Sequence, residues 1–147
     1  MVLSYLGVGE MDWKGCKKNN MIKEVKLDRN LIKSLIESSG KKLKSQEMLK
    51  LSDTTASSKI SLIYDSLREL LEALALSKGY KIYNHECYCA FLKEIQKESY
   101  LSDKFDGFRK IRNAINYYGK MVSVEEADDV IKEMSEFIQK IKNILKT

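Results

Sequence analysis

The stretch SDTTASSKISLIYDSLRELLEALALSKG, residues 52–79, decides the fold. Ile60, Ile63, Tyr64, Leu67, Leu70, Leu71, Leu74 and Ala75 recur at steps of three and four, which lines one face of a helix with apolar side chains. SDTT at 52–55 offers the side-chain oxygens that hold the free amides of a helix start. Lys78 suits the negative end of the helix, and Gly79 is a natural stop. Most of the stability of such a helix must come from packing its apolar face against other elements.

The same period returns on both sides. Leu27, Leu31, Leu35 and Ile36, then Leu43, Met48 and Leu49, predict helix over 27–50, either one with a weak point at Gly40 or two short ones. YKIYNHE at 80–86 reads as a loop in which Asn84 caps a third helix, with Glu86 in its first turn and Cys87, Ala90, Phe91 and Ile95 on its buried face. ESYLSD at 98–103 breaks that helix, and Ser102 or Asp103 caps the next. Phe108, Ile111, Ile115 and Tyr118 form the stripe of this fourth helix, and Gly119 ends it. SVEEA at 123–127 is a capping box, with Glu126 three residues after Ser123. Val130, Ile131, Met134, Phe137, Ile138, Ile141 and Leu145 then mark the last helix. There is no proline to interrupt any of these, and nothing alternates at period two for long enough to make a sheet. The expected fold is all-α, an up-and-down antiparallel bundle of four to five helices forming a single domain over 21–147.

Residues 1–20 are different. They hold three glycines and the polar run KGCKKNN, without a helical period. They read as a frayed or loosely docked extension, or as a start codon placed too early, although Trp13 is a residue that could pin the segment to the body. The opening MVLSYLGVGEMDWKG lacks a basic leader and meets Glu10 and Asp12 early, so it is a poor signal peptide. No apolar run approaches the roughly 20 residues of a membrane span. Three cysteines, an odd number without framework spacing, point to a reducing compartment and a cytoplasmic protein, with Cys16 a free thiol and Cys87 in the core.

The formal charge is +5 and sits in the first third: residues 1–50 carry eleven Lys/Arg against six Asp/Glu, whereas 51–147 balance at fifteen of each. A basic arm of this kind suits nucleic acid, and equally a solvated lysine face. More specific is FRKIRNAINYYG, residues 108–119. At about 100° per residue, Arg112 falls roughly 70° and Asn116 about 110° from the centre of the apolar stripe. Arg109, Arg112 and Asn116 thus form a polar ridge on the rim of the buried face, with Asn113 beside it; Tyr117 points away from the core and Tyr118 leans into it. Only Arg29 and Arg68 are arginines elsewhere in a lysine-rich chain. A guanidinium at a rim can grip a phosphate or carboxylate at two points, which lysine cannot. The alternative is a salt bridge to a rim acid, within the chain or between subunits.

SLIYDSLRELLEALALSKGY, NHECYCAFLKE and FRKIRNAINYYG together resemble the HEPN superfamily over roughly Leu27 to Leu145. The resemblance implies a helical bundle, a homodimer, and kinship with ribonucleases that include toxins encoded beside a minimal nucleotidyltransferase. The family signature is an arginine, a polar residue that is often Asn, and a histidine a short way further along. Arg112 and Asn113 match the first part; Tyr117, Tyr118 and Gly119 stand where the histidine would be. Histidine titrates near neutrality and can move protons during attack of a ribose 2′-OH, whereas tyrosine is a poor base at pH 7. His85, the only histidine, is the candidate replacement if the third helix faces the fourth across the dimer; otherwise it is a first-turn polar residue at the surface or makes a structural hydrogen bond.

The expected function is binding of nucleotide or RNA phosphate by Arg109, Arg112, Asn113 and Asn116 at a dimer groove, with a minimal nucleotidyltransferase as partner in a toxin–antitoxin arrangement. One alternative is a metal-independent endoribonuclease using Arg112 and Asn116 with Tyr117 or His85. The other is a helical dimerisation module without catalysis. His85, Cys87 and Cys89 lack the spacing of a metal site, because residues two apart on a helix diverge. Neither metal nor cofactor is expected. Tyr80, Tyr83, Tyr88 and Tyr100 could stack bases, or simply pack with their hydroxyls wet.

Overall fold

In the structure, a computed structural model describing residues 11–146, the 52–79 stretch is the central helix. We number the elements α1 (Trp13–Lys18), β1 (Ile22–Glu24), α2 (Arg29–Met48), α3 (Ala56–Ser77), β2 (Tyr80–Ile82), α4 (His85–Ala90), α5 (Ser99–Tyr118) and α6 (Val124–Lys146). The fold is an all-α bundle. Ile60, Ile63, Tyr64, Leu67, Leu70, Leu71 and Leu74 of α3 are all buried. They meet Phe105 and Phe108 of α5 and Met134, Phe137, Ile138 and Ile141 of α6 in one core. Gly79 takes φ +90°, a left-handed turn that stops α3.

Helix α2 runs unbroken through Gly40, where a Cβ would meet nothing within 4 Å. It packs antiparallel to α3. Ser39 Oγ donates to the Ser66 carbonyl at 2.8 Å and Ser66 Oγ to the Ser39 carbonyl at 2.9 Å, while the buried Lys59 ammonium donates to the Gln46 and Leu49 carbonyls at the end of α2, both at 2.6 Å. A lysine there satisfies carbonyls that the helix itself leaves free. The capping box forms as expected: Glu126 N donates to Ser123 Oγ at 3.1 Å.

Four local expectations are corrected. The 80–86 loop holds a strand: β1 and β2 pair antiparallel, Ile22 opposite Ile82. At three residues each, these strands are too short to show an alternation. Helix α5 starts at Ser99, ahead of the expected caps, because Ser102 is buried and donates to the Cys89 carbonyl at 2.8 Å instead of capping. Tyr118 does not lean into the core; it is 83% exposed, beyond the reach of the bundle at the end of α5. Cys16 is not a free thiol. It forms a disulfide with Cys87, 71 residues away, and Cys89 is the free cysteine.

The disulfide locks α1 onto α4. Asp12 caps α1, accepting from Gly15 N at 2.7 Å. Trp13 is buried edge-on against Tyr80, ring centroids 4.9 Å apart, and its backbone amide donates to Glu94 at 2.7 Å. Of the expected N-terminal extension, residues 1–10 lie outside the described residues, and 13–18 are a docked helix. With two of three thiols paired, the cysteine count no longer argues for a reducing compartment. Among the described residues no helix is long and apolar enough to cross a membrane.

Candidate anion-binding site

Helix α5 brings its arginines to the seam it shares with α3 and α4. Phe105 and Phe108 are buried and fix the helix's rotation; Arg109 and Arg112 then emerge beside the core with side chains 11% and 22% exposed. The two are held differently. Arg109 Nη2 donates to Asp106 at 2.8 Å, and its Nη1 lies 3.7 Å from Glu86 of α4. Among the described residues, the one acid that Arg112 reaches is Asp65 of α3, at 3.8 Å, too long for a hydrogen bond. Its guanidinium lies over the Tyr64 ring, 5.3 Å from the centroid, a contact that orients a cation without consuming its N–H groups.

Tyr64 joins this arginine to the histidine. Its hydroxyl shares a 3.2 Å hydrogen bond with His85 Nδ1, the direction set by the imidazole tautomer. His85 opens α4, where Asn84 caps the helix by accepting from Glu86 N at 2.7 Å. Burial lowers the His85 pKa below its ordinary value, and the charges of Arg68, Arg112 and Arg109 push the same way against Asp65. The imidazole is therefore neutral at pH 7 and can accept a proton. Burial likewise raises the Tyr64 pKa, so its hydroxyl keeps its proton.

Four buried side-chain polar atoms lack a hydrogen-bond partner among the described residues, and three are here: Arg109 Nε, Arg112 Nε and Glu86 Oε2. Two of these are guanidinium N–H donors and one is a carboxylate oxygen; unpaired buried groups of either kind are costly, so this seam is the least completely paired part of the described core.

The structure brings together Arg109, Arg112 and His85 of the expected site residues. Asn113 is half-buried one step beyond, and Asn116 is exposed. Tyr117, 70% exposed near the end of α5, makes no hydrogen bond or ring contact with Tyr64 or His85 among the described residues. Cys87, tied in the disulfide, is not available as a metal thiolate. Of the tyrosines considered for stacking, Tyr88 is buried and Tyr80 covers Trp13, while Tyr83 and Tyr100 are exposed beneath Lys81 and Lys140. Sequence reading missed Tyr64, Asp65 and Arg68. Tyr64 looked like one more apolar residue of the α3 stripe; Arg68, four residues on and one of only four arginines, was the available signal. No protein-family model matches the chain, and no curated protein is significantly similar to it.

Proposed function

We propose that this chain is a HEPN-like protein that binds an RNA or nucleotide phosphate at Arg112, with Asn113 and Asn116 lining the approach and Arg109 holding the wall behind it. The observation that carries this reading is the Arg112 guanidinium: half-sheltered, oriented by Tyr64, no nearer than 3.8 Å to an acid among the described residues and left there with a buried unpartnered Nε. Arginine prepared in this way binds phosphate through parallel N–H donors. Tyr117, Tyr118 and Met121 are 70%, 83% and 89% exposed just past Asn116, which supports a second copy closing the groove there. The nucleotidyltransferase partner follows from the family resemblance, and the cytoplasmic location from the ligand class. A disulfide in that compartment fits a cell that keeps intracellular disulfides, as hyperthermophiles do. If Arg112→Ala binds RNA and nucleotides at low salt as tightly as wild type, the reading is wrong.

A metal-independent endoribonuclease is the second reading, favoured by one observation: His85 shares Tyr64 with Arg112. When its Nδ1–H donates to Tyr64, Nε2 carries the lone pair that could take the proton of a ribose 2′-OH, with Arg112 holding the phosphate. Tyr117 lacks such a setting. Incubation of cellular RNA with EDTA should then give cleavage by wild type, and none by Arg112→Ala or His85→Gln. Cleavage surviving in both variants would exclude this site as its source.

A further inference from the structure

Tyr64 and Arg68 stand four residues apart on α3 and therefore share a helix face. Tyr64 meets His85 with its hydroxyl and Arg112 with its ring; Arg68 lies one turn along α3 from these contacts, and its charge acts on His85 as that of Arg112 does. Its state resembles that of Arg112. One oxygen of its acid, Glu72, lies at 3.5 Å, while the other is bonded by Lys81 at 2.6 Å. Arg68 is 28% exposed and, like Arg112, makes no guanidinium hydrogen bond among the described residues. Two loosely engaged guanidiniums thus act on one imidazole, whereas Arg109, bonded to Asp106 at 2.8 Å, is already committed.

We infer that Arg68 is the second guanidinium of the anion site, and that a phosphodiester seated between Arg68 and Arg112 draws a proton onto His85. This rests on the phosphate-binding reading above. The groups facing His85 are Tyr64, Asp65 and Arg68 from α3, Arg109 and Arg112 from α5, and Glu86 and the Tyr88 ring on its own helix. From the remaining neighbours, Lys17 of α1 turns to Glu24 and Lys81 of β2 to Glu72. In the free protein, burial and the arginines favour the neutral imidazole. An anion between them offsets their charge and places a negative group beside the ring, which favours imidazolium. By linkage, the anion must then bind more tightly as the pH falls through the His85 pKa of the complex, levelling off below that of the free protein. Tyr64 acts as a positioning residue, setting imidazole and guanidinium against each other.

Because the chain has one histidine, the test is direct. The His85 ring proton of untagged protein is followed by NMR from pH 5 to 8, alone and with a 2′-deoxy dinucleotide. That ligand has one phosphodiester of fixed charge and no 2′-OH to react, and sulfate serves as a second probe. The expected result is a rise of about one pKa unit with the dinucleotide, and binding about tenfold tighter at low than at high pH. Arg68→Gln should weaken binding at least about tenfold and raise the His85 pKa of the free protein. Arg68→Lys, which keeps the charge but loses the fork, should restore the free-protein pKa but only part of the affinity. Tyr64→Phe should alter the titration of His85 more than the affinity. Binding with no change in His85, or binding indifferent to Arg68→Gln, overturns this inference and leaves the Arg112 reading standing. A shift with sulfate alone marks an adventitious anion site and overturns it too. Absence of binding by dinucleotide and longer RNA alike removes both.

Discussion

Helix α3 has two polar neighbourhoods that differ in how completely they are paired. Towards α2, Ser39 and Ser66 exchange hydrogen bonds, Lys59 closes the end of α2, and Glu69 accepts from both Ser38 at 3.1 Å and Lys42 at 3.0 Å. One carboxylate oxygen, Glu69 Oε1, is left over. Towards α4 and α5, the same helix presents Tyr64, Asp65 and Arg68 to a seam with three stranded polar atoms and two loosely held guanidiniums. A buried polar group is tolerated when it is paired. The first neighbourhood therefore holds helices together, and the second is arranged to receive something.

Perturbing the two regions should separate stability from binding. The largest effect belongs to neither face but to the tether behind α4. Opening the Cys16–Cys87 disulfide with a dithiol, or by Cys16→Ser, frees a 71-residue loop and should cost roughly 4 kcal/mol on the chain-entropy model. Denaturant unfolding measures the loss, and the single tryptophan, Trp13 on α1, should report the release of that helix by its fluorescence. Arg109→Ala removes a partner from two half-sheltered carboxylates, Glu86 and Asp106, of which Asp106 keeps Lys110 at 2.9 Å, and should cost roughly 2 kcal/mol of stability. Ser66→Val breaks the exchange with Ser39 and should cost about 1–2 kcal/mol with ligand affinity unchanged. If Ser66→Val weakens binding as much as Arg112→Ala does, the division between the two faces fails.

The smallest effect is the dependence of stability on pH. The His85 pKa is lowered in the folded chain and near 6.5 in the unfolded one. As the pH falls below about 6.5, the unfolded state takes up a proton that the folded state resists, so stability declines until the folded-state pKa is passed. His85→Gln should flatten this part of the profile. An unchanged slope would mean that His85 titrates as an ordinary surface imidazole.

The sequence made legible what depends on local order. The α3 stripe, the Ser123–Glu126 capping box, the stop at Gly79 and the rim position of Arg109 and Arg112 all follow from residues within two turns of one another. What escaped depends on distance or on very short elements. Cys16 and Cys87 meet only once α1 docks. The β1–β2 ribbon is too short for a periodic signal. Ser102 has the chemistry of a cap, and only the packing of α5 on α4 shows that its hydroxyl is needed by Cys89. At the site, the ridge of Arg109, Arg112 and Asn116 is visible within the sequence of α5 alone. Its complement on α3 is not, because a buried Tyr64 is indistinguishable in sequence from any other apolar position of a stripe.

The most direct test of the central claim sets Arg112→Ala against Arg109→Ala, two substitutions one helical turn apart. Each variant is titrated with single-stranded RNA at low salt in EDTA, and its unfolding free energy is measured in parallel. The account predicts that Arg112→Ala loses at least about tenfold in affinity while keeping its stability within about 1 kcal/mol of wild type, and that Arg109→Ala does the reverse. An Arg112→Ala protein that binds RNA like wild type, or whose loss of binding is matched by an equal loss of stability, would contradict it.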